Sequence, residues 1–135
     1  MTLESENVPS GFERVFDLDQ RGERPMVALC NLILSEGLAA KATAISLVSV
    51  NEGCIVRFHV GEQCRAVMKI PSLAGPALIN RLRVMANLDR TKGHNRQEGT
   101  VHARFHSDAV VFKVEVQPKP DGMEDAIVHC LQSYP

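Results

Sequence analysis

The chain alternates between two spacings of apolar residues, and the changes of spacing mark out its elements. After Pro25, which suits the first turn of a helix, Met26, Leu29, Cys30, Ile33 and Leu34 recur every three or four residues. The spacing predicts a helix that stops near Gly37. The period then falls to two. Ala44–Val50, Cys54–Val60 and Cys64–Ile70 alternate and are rich in β-branched residues. Asn51-Glu52-Gly53 and Gly61-Glu62 between them read as tight hairpin turns, giving an antiparallel meander.

Helical spacing returns after Pro71-Ser72, with Ser72 placed as an N-cap. Ala74, Leu78, Leu82 and Met85 form one stripe, broadened by Ile79, Ala86 and Leu88, while Arg81, Arg83 and Arg90 lie off it and are expected in solvent. A polar loop, Thr91–Gln97, leads to three more strands, Thr100–His106, Ala109–Val116 and Asp125–Leu131. His106-Ser107-Asp108 joins the first two, and a PKPDG turn precedes the last. The expected fold is α+β: a single six-stranded, mainly antiparallel sheet with two main helices on one face. Residues 1–24 carry much charge and no period, so they read as a flexible arm ahead of one domain over 25–135; Phe12 and Phe16 could fold back on the body or serve a partner.

Composition narrows the function. With 135 residues the chain can bury a core without metal or disulfide staples, and a formal charge of −1 argues against nucleic-acid binding by phosphate neutralisation. Cys30, Cys54, Cys64 and Cys130 show no C-x-x-C pair and no zinc-finger spacing, and three of them sit among apolar residues, as reduced core cysteines do. The start lacks the basic and apolar regions of a secretory signal, and the apolar stretch Met26–Leu34 falls far short of the ~20 residues of a membrane helix. A cytoplasmic protein without membrane insertion is the simplest expectation.

Period two also sorts charge. It puts His102, Arg104 and His106 on one side of their strand, with Ala103 and Phe105 on the other. Arg57 with His59, and Lys113 with Glu115, show the same parity. If these strands are neighbours, one sheet face carries Arg57, His59, His102, Arg104, His106 and Lys113. Such a face is either simply solvated or a docking surface for an acidic partner or phosphate ligand. His102 and His106 stand about 13 Å apart along a strand, too far to share a metal ion. No Ser-His-Asp or Cys-His set and no G-x-x-x-x-G-K-[ST] loop occurs, so neither cofactor nor catalytic residues are expected.

The order of segments resembles the pre-motor domain of the bacterial type II secretion and type IV pilus assembly ATPases. The family's A-S-D-I-H-I-E-P strand, V-R-[YF]-R-[VI]-D-G strand and L-x-x-R-[IL]-K-[VI]-M-A-x-L-D helix are matched by Ala42–Ser46, Val56–Gly61 and Leu78–Asp89. Its R-x-P-Q-D-G-R turn and V-D-[VF]-R-V strand are matched by Arg96–Thr100 and Val111–Val114. The helix is the specific match. Among the departures, the first strand's Asp, His and Glu become Ala44, Ser46 and Val48, and the second Arg of V-R-x-R becomes His59. The arginines that reach toward nucleotide in the family become Thr100 and Lys113. The resemblance implies a PAS-like front domain without its motor: a non-catalytic adaptor or regulator that binds a secretion or pilus ATPase or its cytoplasmic platform. The alternative is a small-ligand-sensing PAS-like module.

Overall fold

The computed structural model describes residues 14–20, 22, 24–89 and 95–134. Two helices, α1 (Pro25–Ala39) and α2 (Ala74–Met85), cover one face of a single sheet. Its strands are β1 (Val15–Asp17), β2 (Ala44–Val50), β3 (Gly53–Val60), β4 (Gln63–Pro71), β5 (Gln97–Phe105), β6 (Asp108–Pro118) and β7 (Glu124–Tyr134). The order across the sheet is β1-β5-β6-β7-β2-β3-β4. Every pairing is antiparallel except β1 with β5. The α+β class and the helix-covered sheet agree with expectation. The strand count becomes seven, and the sheet is mixed.

The extra strand comes from the segment expected to be a flexible arm. Three residues are too few to show a period, so Val15–Asp17 could not announce itself as a strand. It is held by parallel pairing with His102, Ala103 and Arg104, and it delivers Leu18, fully buried, into the core. Two side chains of α1 fasten its end: the Ser35 hydroxyl donates to the Leu18 carbonyl (3.1 Å) and Asn31 Nδ2 to that of Gln20 (2.7 Å). Phe16 packs against the core; Phe12 lies outside the described residues.

Local signals were misread at both helices. Gly37 does not end α1. It lets the helix approach β2, since a Cβ there would stand 2.5 Å from Ile45 Cδ1. The stop is a left-handed residue, Lys41 (φ 63°), whose N–H bonds the Leu38 carbonyl while that of Ala42 bonds Gly37. Asn87 (φ 58°) closes α2 in the same manner. Ser72 does not cap α2: Leu73 holds that position, no side chain caps it, and Pro71 is the last residue of the edge strand β4.

The predicted stripe of α2 is right: Leu78, Ile79, Leu82 and Met85 are buried in one cluster with Val56, Phe58, Val101, Ala103, Phe112 and Val114. Each contributes about 1.5–3 kcal/mol relative to an exposed side chain. Arg83, expected in solvent, is only 4% exposed. Its guanidinium donates from Nε to Gln97 Oε1 (3.1 Å), from Nη1 to Asn80 Oδ1 (2.9 Å), and from Nη2 to Glu124. One planar fork thereby ties α2 to the starts of β5 and β7. Arg81 is half-buried under Phe16, and Arg90 lies outside the described residues. The four cysteines are free: Cys30 and Cys54 buried, Cys130 partly so, Cys64 exposed. Burial pushes the Cys30 thiol up to about 12 and that of Cys130 to about 11.

Two stability measurements test this packing. Leu82→Ala should cost about 2–5 kcal/mol through lost burial and a cavity, and Arg83→Ala about 3–5 kcal/mol by leaving Glu124 beside an emptied pocket. A small loss for Arg83→Ala in chemical denaturation would return that side chain to solvent. Leu18→Ala should also cost about 2–5 kcal/mol; an unchanged unfolding midpoint would free β1 from the core.

Candidate functional site

Because both helices pack on one side, the other side of the sheet is left open by the described residues, and alternation decides which side chains it carries. Register places them in rows. One runs Thr100–Lys113–His129–Ala44–His59–Cys64 across β5, β6, β7, β2, β3 and β4. The next runs Glu98–Glu115–Ile127–Ser46–Arg57–Ala66 across the same strands. Thus Arg57, His59, His102, Arg104 and Lys113 share the open face. They form two groups, Arg57 with His59 on β3 and the rest on β5 and β6, with β7 and β2 between them. His106 is not in a strand: with Ser107 it makes the two-residue turn from β5 to β6, both at positive φ (52° and 71°).

The face is not uniformly basic. Lys113 Nζ lies 3.2 Å from Glu98 and 3.6 Å from Glu115, and Arg96 lies 2.9 Å from Glu115 and 3.6 Å from Glu98. His129 Nε2 is 3.0 Å from the other oxygen of Glu115. The hydrogen bond from Lys113 holds the Glu98 carboxyl below its usual range, and that from Arg96 does the same for Glu115. Since both acids are lowered by folding, their stabilising contribution is present at neutral pH and fades as pH falls through the lowered values. At the β1 edge, Arg104 pairs with Asp17 (3.3 Å), and His106 meets Asp19 through Nδ1 (3.4 Å) and its backbone N–H (2.9 Å). The Asp17 carboxyl is lowered first by the N–H of Asp19, then by Arg104.

The β3 group is differently placed. His59 Nε2 lies 2.7 Å from Ser46 Oγ and 3.7 Å from Cys64 Sγ. Arg57, half-buried beside Ser46 and Ala66, has no ion-pair partner among the described residues. No cluster of three or more potential metal ligands occurs among those residues. Glu98 was missed as part of this surface because Gln97-Glu98-Gly99 reads as a turn. Carrying the period of β5 two residues further back would have found it.

Thr100 and Lys113, the positions where the resemblance implies arginines, are direct cross-strand partners. Behind Thr100, Gly99 permits close contact with the end of α2: a Cβ there would stand 2.7 Å from the Ala86 carbonyl oxygen. A cleft of about 620 Å³ opens between that helix end and β5, lined by Arg14, Val84, Met85, Leu88, Glu98 and Thr100 among others.

Comparison with known proteins agrees with this architecture. The profile of the family described as Type II/IV secretion system protein matches residues 19–134. Type II secretion system protein E of Pseudomonas aeruginosa is 29% identical over 105 residues, 78% of this chain and 21% of that protein. The type IV pilus assembly ATPase PilB of Myxococcus xanthus is 29% identical over 97 residues, 71% of this chain and 17% of its own length. The chain thus spans about a fifth of these relatives. The Legionella pneumophila ATPase DotB shares the fold with a TM-score of 0.55 at 9% identity, over 88% of this chain and 32% of that one. A match that runs through all but the first strand means that the chain belongs to the type II/IV secretion system protein family and corresponds to the N-terminal domain of its secretion ATPases.

Proposed function

We propose that this chain is a non-catalytic, protein-binding module of type II secretion or type IV pilus machinery, working in the cytoplasm. It binds a full-length ATPase of that system, or the platform on which the ATPase acts, and does not itself turn over nucleotide. The observation that carries this reading is the pair Thr100–Lys113. Threonine has no charge to offer a phosphate. The ammonium of Lys113 is already paired with Glu98 and Glu115, so a polyphosphate would have to compete with two carboxylates for the cation. Neither residue can present the planar fork of an arginine. The 135 residues also contain no phosphate-cradling loop.

Docking is assigned to the open sheet face, with Arg57, His59, His102, Arg104 and Lys113 as its polar contacts and His106 at the adjoining β5–β6 turn. Arg57 is the strongest of them, a half-buried cation with no ion-pair partner among the described residues. A partner's carboxylate would complete it. Among those residues no helix is long and apolar enough to cross a membrane. The ligand-sensing alternative would use the layer between helices and sheet, which is filled by Leu47, Leu78, Ile79, Leu82 and Phe112, each at most 2% exposed.

Calorimetric titration with Mg-ATP at physiological salt, with a phosphate-release assay, should show neither a stoichiometric site nor turnover, and Thr100→Arg should create neither. A salt-resistant site of micromolar affinity would sink the non-catalytic reading. For docking, Arg57→Glu should weaken capture of a cognate secretion ATPase at least about fivefold with an unchanged unfolding midpoint. Undiminished capture would remove the open face from the interface.

A further inference from the structure

On the opposite, helix-covered side of the sheet, at the β1 edge, the structure gathers positive charge with no carboxylate ion-paired to it among the described residues. Arg14 and Phe16 point to the same side of β1, and Arg81 reaches them from α2. The guanidinium of Arg14 lies 4.9 Å from the centre of the Phe16 ring, and that of Arg81 lies 5.3 Å from it. Arg24, the N-cap of α1, is near enough to act electrostatically on Arg81. No ion pair joins Arg14, Arg24 or Arg81 to a carboxylate among the described residues; Asp17 and Asp19 of the β1 segment are taken by Arg104 and His106.

Arg81 bears the consequence. Its Nε is buried without a hydrogen-bond partner. Burial, and then repulsion from Arg14 and Arg24, pull its pKa down, while Cys30, the group that could offset this, is neutral because burial pushes its thiol up to about 12. A cation packed against an aromatic face gains from the ring, but that gain does not replace a lost counter-ion. Buried polar groups are nearly always satisfied, and an exception calls for a functional explanation. A second observation indicates the occupant. Arg14 also lines the cleft between the end of α2 and β5, whose lining includes Val84, Met85 and Leu88.

We propose that Arg14, Phe16, Arg24 and Arg81, with the adjoining cleft, form a docking site for an acidic, apolar-flanked segment of a protein partner. A carboxylate of that segment lies against the Arg14 and Arg81 guanidiniums, and its neighbouring apolar side chain enters between Val84 and Leu88. The site deepens the reading of the chain as a protein-binding module. It lies across the sheet from Arg57, so the two surfaces can fail independently.

The test uses the full chain and a fluorescein-labelled, acetylated octapeptide alternating leucine with glutamate. The leucine–glutamine counterpart and inorganic pyrophosphate serve as competing probes, followed by fluorescence anisotropy. The acidic peptide should bind, its glutamine counterpart at least about tenfold more weakly. Arg81→Met and Arg14→Gln should each weaken binding about tenfold. Arg81→Met should also hold or raise the unfolding midpoint, because it removes an uncompensated cation; an Arg81 serving only as a structural support would lower it. Arg14 is exposed, so its variant reports on binding whatever happens to Arg81→Met. Equal binding of the two peptides, no binding of either, or unchanged affinity in Arg14→Gln would overturn the proposal. Displacement of the acidic peptide by pyrophosphate at lower concentration than by unlabelled peptide would overturn it in favour of a phosphate site.

Discussion

Everything in this molecule follows from covering a broad sheet on one side only. Among the described residues, seven strands and two helices give no layer on the second face, so strand alternation becomes a division between packing and chemistry. On β6, Val110, Phe112, Val114 and Val116 are buried, while Lys113 and Glu115 face out between them. The same division on β5 separates Val101 and Ala103 from His102 and Arg104. A shift of one residue in any register would bury charge and expose the core, so the pairing is strongly specified. Closure of the covered side depends on small residues where backbones come together, with Gly37 against Ile45 and Gly99 against Ala86.

Arg83 turns that layered packing into a joined structure. The starts of β5 and β7 are far apart in sequence, yet Gln97 and Glu124 meet at one guanidinium from α2. Charge is tolerated there because each nitrogen of the fork has an acceptor: Gln97 at Nε, Asn80 and Glu124 at the other two. Arg81, two residues earlier on the same helix, lacks that satisfaction. The contrast separates a cation that holds the fold from one that is left for a partner.

The charges of the open face carry a different message. Lys113 and Arg96 are balanced by Glu98 and Glu115, which makes a screened, low-energy surface rather than a phosphate trap. With threonine at position 100 and lysine at 113, this cross-strand pair presents no guanidinium fork. Function on such a scaffold is set by its surface and not by the fold.

The sequence alone determined the two helices, six of the strands, the buried stripe of α2, the parity of β3, β5 and β6, and the family, because these rest on periodicity and on a motif of contiguous residues. Leu78, Leu82 and Met85 could be placed by spacing, and Lys113 and His102 by parity. Tertiary structure decided what periodicity cannot express. β1 is too short to carry a pattern and exists only because the edge of β5 accepts it, while Leu18 is buried because α1 passes over it. Gly37 resembled a stop because local signals cannot distinguish a cap from a close helix–strand approach. Arg83 resembled a solvated side chain because its acceptors arrive from residues 14 and 41 positions away. Which arginines of α2 are matched and which are left bare depends on where distant carboxylates come to rest. Long-range charge pairing leaves no trace in local spacing, so only the folded chain could reveal it.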